Sequence, residues 1–128
     1  MNPESQNNTH ILVVEDDPSI VQLLTMTLTN SENWIISSVD CGAKGVFAWS
    51  NGGFDVIIMD IGLPGMDGIT ATKKIRTMEA AGNLTKTPII ALTAQSDSIH
   101  ECLEAGMDEF LSKPFSTRTL IETIKRYL

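Results

Sequence analysis

Five short apolar runs, each followed by polar residues, predict five β-strands along the chain. They are ILVV at 11–14, WIISSV at 34–39, VIIM at 56–59, IIAL at 89–92 and FL at 110–111. The first, third and fourth runs are apolar without alternation, which is typical of parallel strands that helices cover on both faces. We therefore expect a largely buried parallel sheet.

The segments between the strands have the spacing of amphipathic helices. The predicted helices span 18–29, 41–50, 69–80, 98–105 and 116–128. Two of them have clear apolar faces, formed by Ile20, Leu23, Leu24 and Leu28 on the first helix and by Leu120, Ile121, Ile124 and Leu128 on the last. Because strands and helices alternate strictly, right-handed crossovers predict a doubly wound α/β sheet with helices on both faces.

Capping residues mark several of the predicted helix boundaries. Asp17 precedes Pro18, which is the usual order of an N-cap residue and a first helical residue. Ser98 and Glu101 have the spacing of a capping box at the start of the fourth helix, and Gly106 follows its end. These residues support the positions of the first and fourth helices.

Length and charge narrow the class of protein. The 128 residues, 42% of them hydrophobic and 20% charged, predict one domain with one core. A formal net charge of -7 argues against a surface that binds nucleic acid directly. The first ten residues lack the pattern of a secretory signal, and no apolar run reaches the ~20 residues of a membrane span. We expect a cytoplasmic domain over 10–128, without membrane contact, behind a polar leader at 1–9.

The two cysteines do not suggest a disulfide or a zinc site. Cys41 and Cys102 lie far apart in the sequence and form no Cys-x-x-Cys pattern. We expect both to be buried thiols.

Polar residues follow four of the predicted strands. Glu15, Asp16 and Asp17 follow the first strand, Asp60 the third, Thr93 the fourth and Lys113 the fifth. Crowded carboxylates repel one another, so a group of Glu15, Asp16 and Asp60 predicts a cation between them. Because these few carboxylates come from two separate loops, they favour Mg²⁺, or Mn²⁺, over a structural Ca²⁺.

Each of these residues also has an ordinary explanation. Asp17 is better explained as a helix cap than as a metal ligand, and Asp60 could simply begin a turn. Thr93 and Lys113 are common residue types at a strand end and on a surface. Their occurrence on four strands of one sheet favours a site, since open α/β sheets bind ligands at the carboxyl ends of their strands.

Four motifs in order make the chain resemble the receiver domains of bacterial two-component response regulators. The motifs are ILVVEDDP at 11–18, DVIIMDIGLPGMDG at 55–68, PIIALTA at 88–94 and DEFLSKPF at 108–115. The resemblance covers nearly the whole chain. It implies a flavodoxin-like five-stranded parallel sheet in the order 2-1-3-4-5, with five helices in a three-layer α/β/α arrangement.

The resemblance also implies a role for each matching residue. Asp60 corresponds to the phospho-acceptor, Glu15 and Asp16 to the acidic pair that holds Mg²⁺ with Asp60, and Gly62 to the residue whose backbone carbonyl completes the protein ligands. The phosphoryl-binding and switch positions correspond to Thr93, Ala94, Lys113 and Phe110, and the bond before Pro114 to a cis peptide. Phe110 lacks the hydroxyl of a tyrosine, which leaves only a steric form of the switch.

The implied partners are a histidine kinase or a histidine phosphotransfer protein. A phosphorylation-linked dimer through the fourth helix, fifth strand and fifth helix is a further implied partnership. The stretch ALTA…CLEAGMDEFLSKPF resembles receivers of hybrid sensor kinases. The sequence leaves open whether the chain is a complete single-domain regulator or a receiver from a longer protein.

Two other function classes are less well supported. A small Mg²⁺-dependent phosphohydrolase with an aspartate nucleophile would carry a second aspartate two residues later as acid and base, where this chain has Gly62. A flavodoxin-like nucleotide binder would need a phosphate-binding turn after the first strand, where this chain has the anion-repelling EDDP.

Overall fold

The computed structural model describes residues 9–63, 65–94 and 99–128, and it contains the predicted alternation of strands and helices. The strands are β1 (His10–Val14), β2 (Ile35–Val39), β3 (Val56–Asp60), β4 (Ile89–Thr93) and β5 (Glu109–Ser112). The helices are α1 (Pro18–Glu32), α2 (Gly42–Ser50), α3 (Gly68–Ala81), α4 (Ile99–Ala105) and α5 (Thr117–Lys125). Every predicted element is therefore present, with shifts of a few residues at its ends.

The five strands form one parallel sheet in the order β2-β1-β3-β4-β5. This is the predicted flavodoxin-like order. The chain winds from β1 to β2 on one side and then crosses to β3 on the other, so the winding reverses between β1 and β3. Ligands of such sheets bind outside the carboxyl ends of the strands at this reversal.

The hydrophobic core lies on both faces of the sheet, as the unbroken apolar strands predict. On one face, Ile11 and Ile58 pack with residues of α1 and α5, including Leu24 and Leu120. On the other face, the sheet packs against α2, α3 and α4 through Trp49, Ala71, Ile75 and Cys102. Every residue of β3 and β4 is buried, so the polar last residues of these strands, Asp60 and Thr93, are held in fixed positions at the edge of the core.

Three details of the predicted elements are wrong. Leu23 is 56% exposed, because a helix turns by about 100° per residue and Leu23 therefore lies at the margin of the face centred on Leu24. Helix α5 ends at Lys125, three residues before the predicted end, and Leu128 is 54% exposed. Strand β2 begins after Trp34, whose indole packs into the core beside α1 instead.

The capping predictions are confirmed where the structure describes the residues. Asp17 caps α1 by accepting a hydrogen bond from the Ser19 N–H at 2.9 Å. Gly106 follows α4 with a positive φ of 111°, a conformation that favours glycine. Ser98, the predicted partner in the capping box, lies outside the described residues.

The cysteines are free thiols. Cys102 is buried as predicted, whereas Cys41 at the start of α2 is only half-buried. Of the helices within the described residues, none is long and apolar enough to cross a membrane.

Candidate functional site

The polar residues predicted at the strand ends meet at one edge of the sheet. Glu15 and Asp16 directly follow β1, Asp60 is the last residue of β3, and Thr93 is the last residue of β4. Backbone hydrogen bonds extend beyond the strands and fix this edge. The Glu15 N–H donates to the Val39 carbonyl at 3.0 Å, and the Lys113 N–H donates to the Thr93 carbonyl at 2.8 Å.

Glu15, Asp16 and Asp60 form a carboxylate cluster. One oxygen from each residue lies within 4.8 Å of the others. Glu15 and Asp60 are 2% and 6% exposed, whereas Asp16 is exposed to solvent. Three carboxylates at this spacing can share one divalent cation, with the open side at Asp16 left for water.

The ammonium of Lys113 lies beside two of these carboxylates. Its Nζ is 3.1 Å from Glu15 Oε1 and 3.5 Å from Asp60 Oδ1. The peptide bond between Lys113 and Pro114 is cis, which is the conformation that the resemblance implies. Lys113 thus partly compensates the negative charge of the cluster.

The electrostatics of the cluster favour an additional cation. Burial raises the pKa of Glu15, and the neighbouring Asp60 raises it further, although hydrogen bonds from the Asp17 N–H and from Lys113 act in the opposite direction. Burial alone would lower the pKa of Lys113, but its contacts with Glu15 and Asp60 outweigh burial and raise it. The environment of Lys113 therefore favours its protonated, charged form, whereas the environment of Glu15 disfavours its ionised form.

A cleft of about 330 Å³ opens beside Asp60. Its lining includes Gly62, Thr93, Ala94 and Lys113, so the structure brings these four predicted residues to one space with Asp60. The Gly62 N–H donates a hydrogen bond to Asp60 Oδ1 at 3.1 Å, which orients that carboxylate. The Lys113 ammonium and the Thr93 hydroxyl are the side-chain groups of this cleft that can donate to a tetrahedral anion, whereas the Asp60 carboxylate repels an anion unless a cation lies between them.

Phe110 does not line this cleft. It lies in β5 opposite Ala91 of β4, half-buried against the core on the side of α2, α3 and α4. The structure thus places Phe110 next to the strand that ends in Thr93, away from the carboxylates.

One hydrogen bond and one cleft at the site were not predicted from the sequence. The Asp17 N–H donates to Glu15 Oε2 at 3.2 Å, so Asp17 orients a cluster carboxylate as well as capping α1. A second, apolar cleft on the other side of Lys113 is lined by Ile20, Leu23, Pro114 and Phe115. The sequence did not indicate this cleft, because Leu23 was predicted to lie on the apolar face of α1 that packs on the core.

Comparison with known proteins identifies the family. The family model for the response regulator receiver domain matches residues 11–125. The chain belongs to this family. It is a receiver domain of two-component phosphorelay signalling. Neither of the alternative function classes, a phosphohydrolase or a nucleotide binder, is needed to explain the fold or the carboxylate cluster.

Relatives of this receiver include both sensor kinases and regulators. Sensor protein GacS of Pseudomonas syringae pv. syringae is 36% identical over 127 residues, which cover 98% of this chain and 14% of that protein. Transcriptional regulatory protein ResD of Bacillus subtilis is 35% identical over 127 residues, which cover 98% of this chain and 50% of that protein. The receiver therefore spans half or less of these relatives.

Solved structures of other receivers have the same fold. The receiver domain of sensor histidine kinase PA1611 from Pseudomonas aeruginosa, with a magnesium ion coordinated in its active-site cleft, has a TM-score of 0.83 and 34% identity over 94% of this chain and 97% of that one. Chemotaxis response regulator CheY4 of Vibrio cholerae has a TM-score of 0.85 and 29% identity over 95% of this chain and 100% of that one.

Proposed function

We propose that Asp60 accepts a phosphoryl group from a phosphohistidine on a histidine kinase or a histidine phosphotransfer protein, with Mg²⁺ bound at the carboxylate cluster. The observation that carries this proposal is the position of Asp60, which belongs to the cluster of three carboxylates and also lies 3.5 Å from the Lys113 ammonium. A carboxylate placed between a cation site and an ammonium is positioned for attack on an anionic phosphoryl group.

The residues present fit a hard divalent cation. Carboxylate oxygens are preferred ligands of Mg²⁺, and Mn²⁺ accepts the same donors, so we propose Mn²⁺ as a substitute. The raised pKa of the buried Glu15 supports a cation here, because a positive charge would stabilise its ionised form. Bound by Glu15, Asp16, Asp60 and the backbone carbonyl of Gly62, Mg²⁺ would neutralise negative charge on the phosphoryl oxygens. The magnesium ion in the PA1611 receiver supports this assignment.

The chain's own residues account for the remaining requirements of the transfer. A carboxylate oxygen of Asp60 forms a bond to phosphorus while the bond from phosphorus to the histidine nitrogen breaks, and the electron pair remains on the imidazole. Lys113 pairs with a phosphoryl oxygen, and Thr93 and Ala94 contact the group from the far side of the cleft. Water later cleaves the acyl phosphate, which returns the carboxylate and releases inorganic phosphate. The domain thus promotes its own phosphorylation and dephosphorylation.

We propose that the signal leaves the site through β4 and β5. Thr93 moves toward the phosphoryl group. Phe110 of β5 pairs with Ala91 of β4, the strand that ends in Thr93, and its ring moves in response to the space that Thr93 leaves. The face of α4, β5 and α5 is thereby remodelled. Leu103 on α4 is exposed, and we assign a phosphorylation-linked dimer to the face of α4, β5 and α5.

The cellular setting is likewise proposed. We place the receiver domain at 10–128 and a polar leader at 1–9, in a cytoplasmic protein without nucleic-acid or membrane contact by this domain. Its relatives support both contexts that the sequence leaves open, a regulator such as ResD and a sensor kinase such as GacS.

Phosphorylation by a small donor tests the proposal directly. The chain is incubated with acetyl phosphate and Mg²⁺ or Mn²⁺, with and without EDTA, and its intact mass is followed. We expect one acid-stable, base-labile phosphoryl adduct that requires the metal and is absent from Asp60→Asn. Asp55→Asn is the matched control, since Asp55 precedes the other end of β3 and its side chain accepts the His10 N–H. No adduct on the unmodified chain at saturating donor and metal would contradict the proposal.

A further inference from the structure

The loop between β3 and α3 carries part of the proposed site, and its position depends on close backbone packing. Gly62 in this loop is the proposed carbonyl ligand and donates its N–H to Asp60. At the far end of the loop, a Cβ added to Gly68 would lie 2.3 Å from the Asp60 carbonyl oxygen. The start of the loop therefore contacts the carboxylate of the acceptor residue, and its far end packs against the backbone of that residue.

The outer side of the same loop is in contact with the start of α2. A Cβ added to Gly42, the first residue of α2, would lie 2.4 Å from the Met66 carbonyl oxygen and 3.2 Å from Met66 Cγ. A separation of 2.4 Å is far inside van der Waals contact, and a backbone carbonyl cannot rotate away as a side chain can. The first turn of α2 thus lies directly on the loop backbone, at a distance that only glycine permits.

Local preference does not explain a glycine at this position. Alanine stabilises a helix relative to glycine, because glycine loses more backbone freedom on folding. The φ of Gly42 is not positive, so the helix itself does not require glycine here. The close approach of Met66 is the requirement that the structure does contain.

We propose that Gly42 is a positioning residue for the site. By allowing α2 to pack on Met66, it sets how far the loop that carries Gly62 lies from Asp60 and from the carboxylate cluster. Gly42 contacts neither the metal nor the phosphoryl group in this arrangement and acts through the loop alone. The inference rests on the proposed function, since it assigns the loop a part in metal binding.

Two alanine variants from opposite ends of α2 separate positioning from stability. Gly42→Ala forces the loop away from α2, whereas Gly52→Ala, just beyond the helix, adds a Cβ with nothing within 4 Å at a φ of +81°. Both variants destabilise the fold, the first by steric overlap and the second by backbone strain. Only the first displaces the loop.

The measurements are the Mg²⁺ dissociation constant by titration calorimetry, the rate of adduct formation with acetyl phosphate, and Tm in EDTA. For Gly42→Ala we expect the Mg²⁺ dissociation constant to rise about tenfold, as for loss of a residue that orients metal ligands. For Gly52→Ala we expect a lower Tm with an unchanged dissociation constant. An unchanged dissociation constant in Gly42→Ala, or an equal rise in both variants, overturns the inference.

A second variant decides the case in which Gly42→Ala does not fold. Met66→Ala removes the side chain that lies against Gly42 and adds no atom to the interface. We expect it to fold and to weaken Mg²⁺ binding several-fold, and an unchanged affinity overturns the inference. If the unmodified chain itself neither binds Mg²⁺ nor forms an adduct, the proposed function fails. If the unmodified chain does both and the variants match it, only the role of Gly42 fails.

Discussion

Glu15→Gln should make the metal-free receiver more stable while weakening its binding of Mg²⁺. Glu15 is 2% exposed and lies beside both the ammonium of Lys113 and the carboxylate of Asp60. Glutamine has nearly the same shape but carries no charge. The substitution therefore removes a buried charge that the proposed function requires and that the metal-free fold does not.

The expected gain follows from three opposing contributions. At an effective dielectric constant of about 20, attraction between Glu15 and Lys113 at 3.1 Å is about 5 kcal/mol, and repulsion from Asp60 within 4.8 Å is about 3 kcal/mol. The resulting preference of about 2 kcal/mol for the charge is smaller than the several kcal/mol that desolvation of a buried carboxylate costs. Glutamine also loses one of the two acceptors that Lys113 and the Asp17 N–H use, at about 1 kcal/mol. We expect a net gain of about 1 kcal/mol.

Urea unfolding in EDTA measures this gain through the fluorescence of the buried Trp34 and Trp49. A gain of 1 kcal/mol corresponds to about 4 °C in Tm for a domain of this size. In Mg²⁺ the order should reverse, because the unmodified chain gains stability from binding and Glu15→Gln gains less.

Glu79→Gln is the matched control for this experiment. Glu79 is equally buried, but both of its oxygens are paired, with Arg76 at 2.7 Å and with the Thr87 N–H at 2.8 Å. Removing its charge should therefore destabilise the fold by about 2 kcal/mol, with or without metal. The reasoning is refuted if Glu15→Gln is less stable than the unmodified chain in EDTA, or if the two gain equally from Mg²⁺.

Three further predictions concern pH, charge and docking. In EDTA, the stability difference between Glu15→Gln and the unmodified chain should shrink as the pH falls from 7 toward 4.5, the ordinary pKa of glutamate. The pKa of Glu15 is raised in the folded state, so the folded chain binds this proton at a higher pH than the unfolded chain and gains stability as the pH falls. Urea unfolding at several pH values checks this expectation, and a constant difference contradicts it. Lys113→Gln should slow adduct formation with acetyl phosphate about 100-fold, since one preorganised donor to the phosphoryl oxygens is lost, and an unchanged initial rate by intact mass would disprove that role. Leu23→Glu should slow transfer from a phosphorylated histidine phosphotransfer protein about tenfold, because Leu23 lies in the apolar cleft beside Lys113, with the acetyl phosphate rate unchanged. Leu84→Glu, a similarly exposed leucine that does not line this cleft, is its control, and equal effects of the two substitutions would exclude docking at Leu23.

The parts of the structure that follow from local pattern were predictable from the sequence. Hydrophobic periodicity predicts the alternation of strands and helices, and the carboxyl ends of parallel strands necessarily share one edge of the sheet. This is why Glu15, Asp60 and Thr93 could be placed together before their distances were known. The sheet order itself came from the family resemblance and not from the pattern.

The parts that depend on tertiary distances were not predictable. The approach of Gly42 to Met66 joins residues on separate elements, and no local preference marks it. The exposure of Leu23 depends on which neighbours cover the margin of α1, which periodicity does not specify. The hydrogen bond from the Asp17 N–H to Glu15 needs the turn geometry after β1, although the capping role of Asp17 does not.

The charge of the site links its instability to its proposed chemistry. Three carboxylates beside one ammonium leave an excess of two negative charges when all four groups are ionised. A divalent cation matches that excess, whereas a monovalent cation would leave part of it. Phosphorylation of Asp60 would replace one negative charge with up to two, so without metal the phosphorylated site would have more electrostatic repulsion than the unphosphorylated one. We therefore expect the same repulsion to lower the stability of the metal-free fold and to make the proposed phosphorylation depend on the metal.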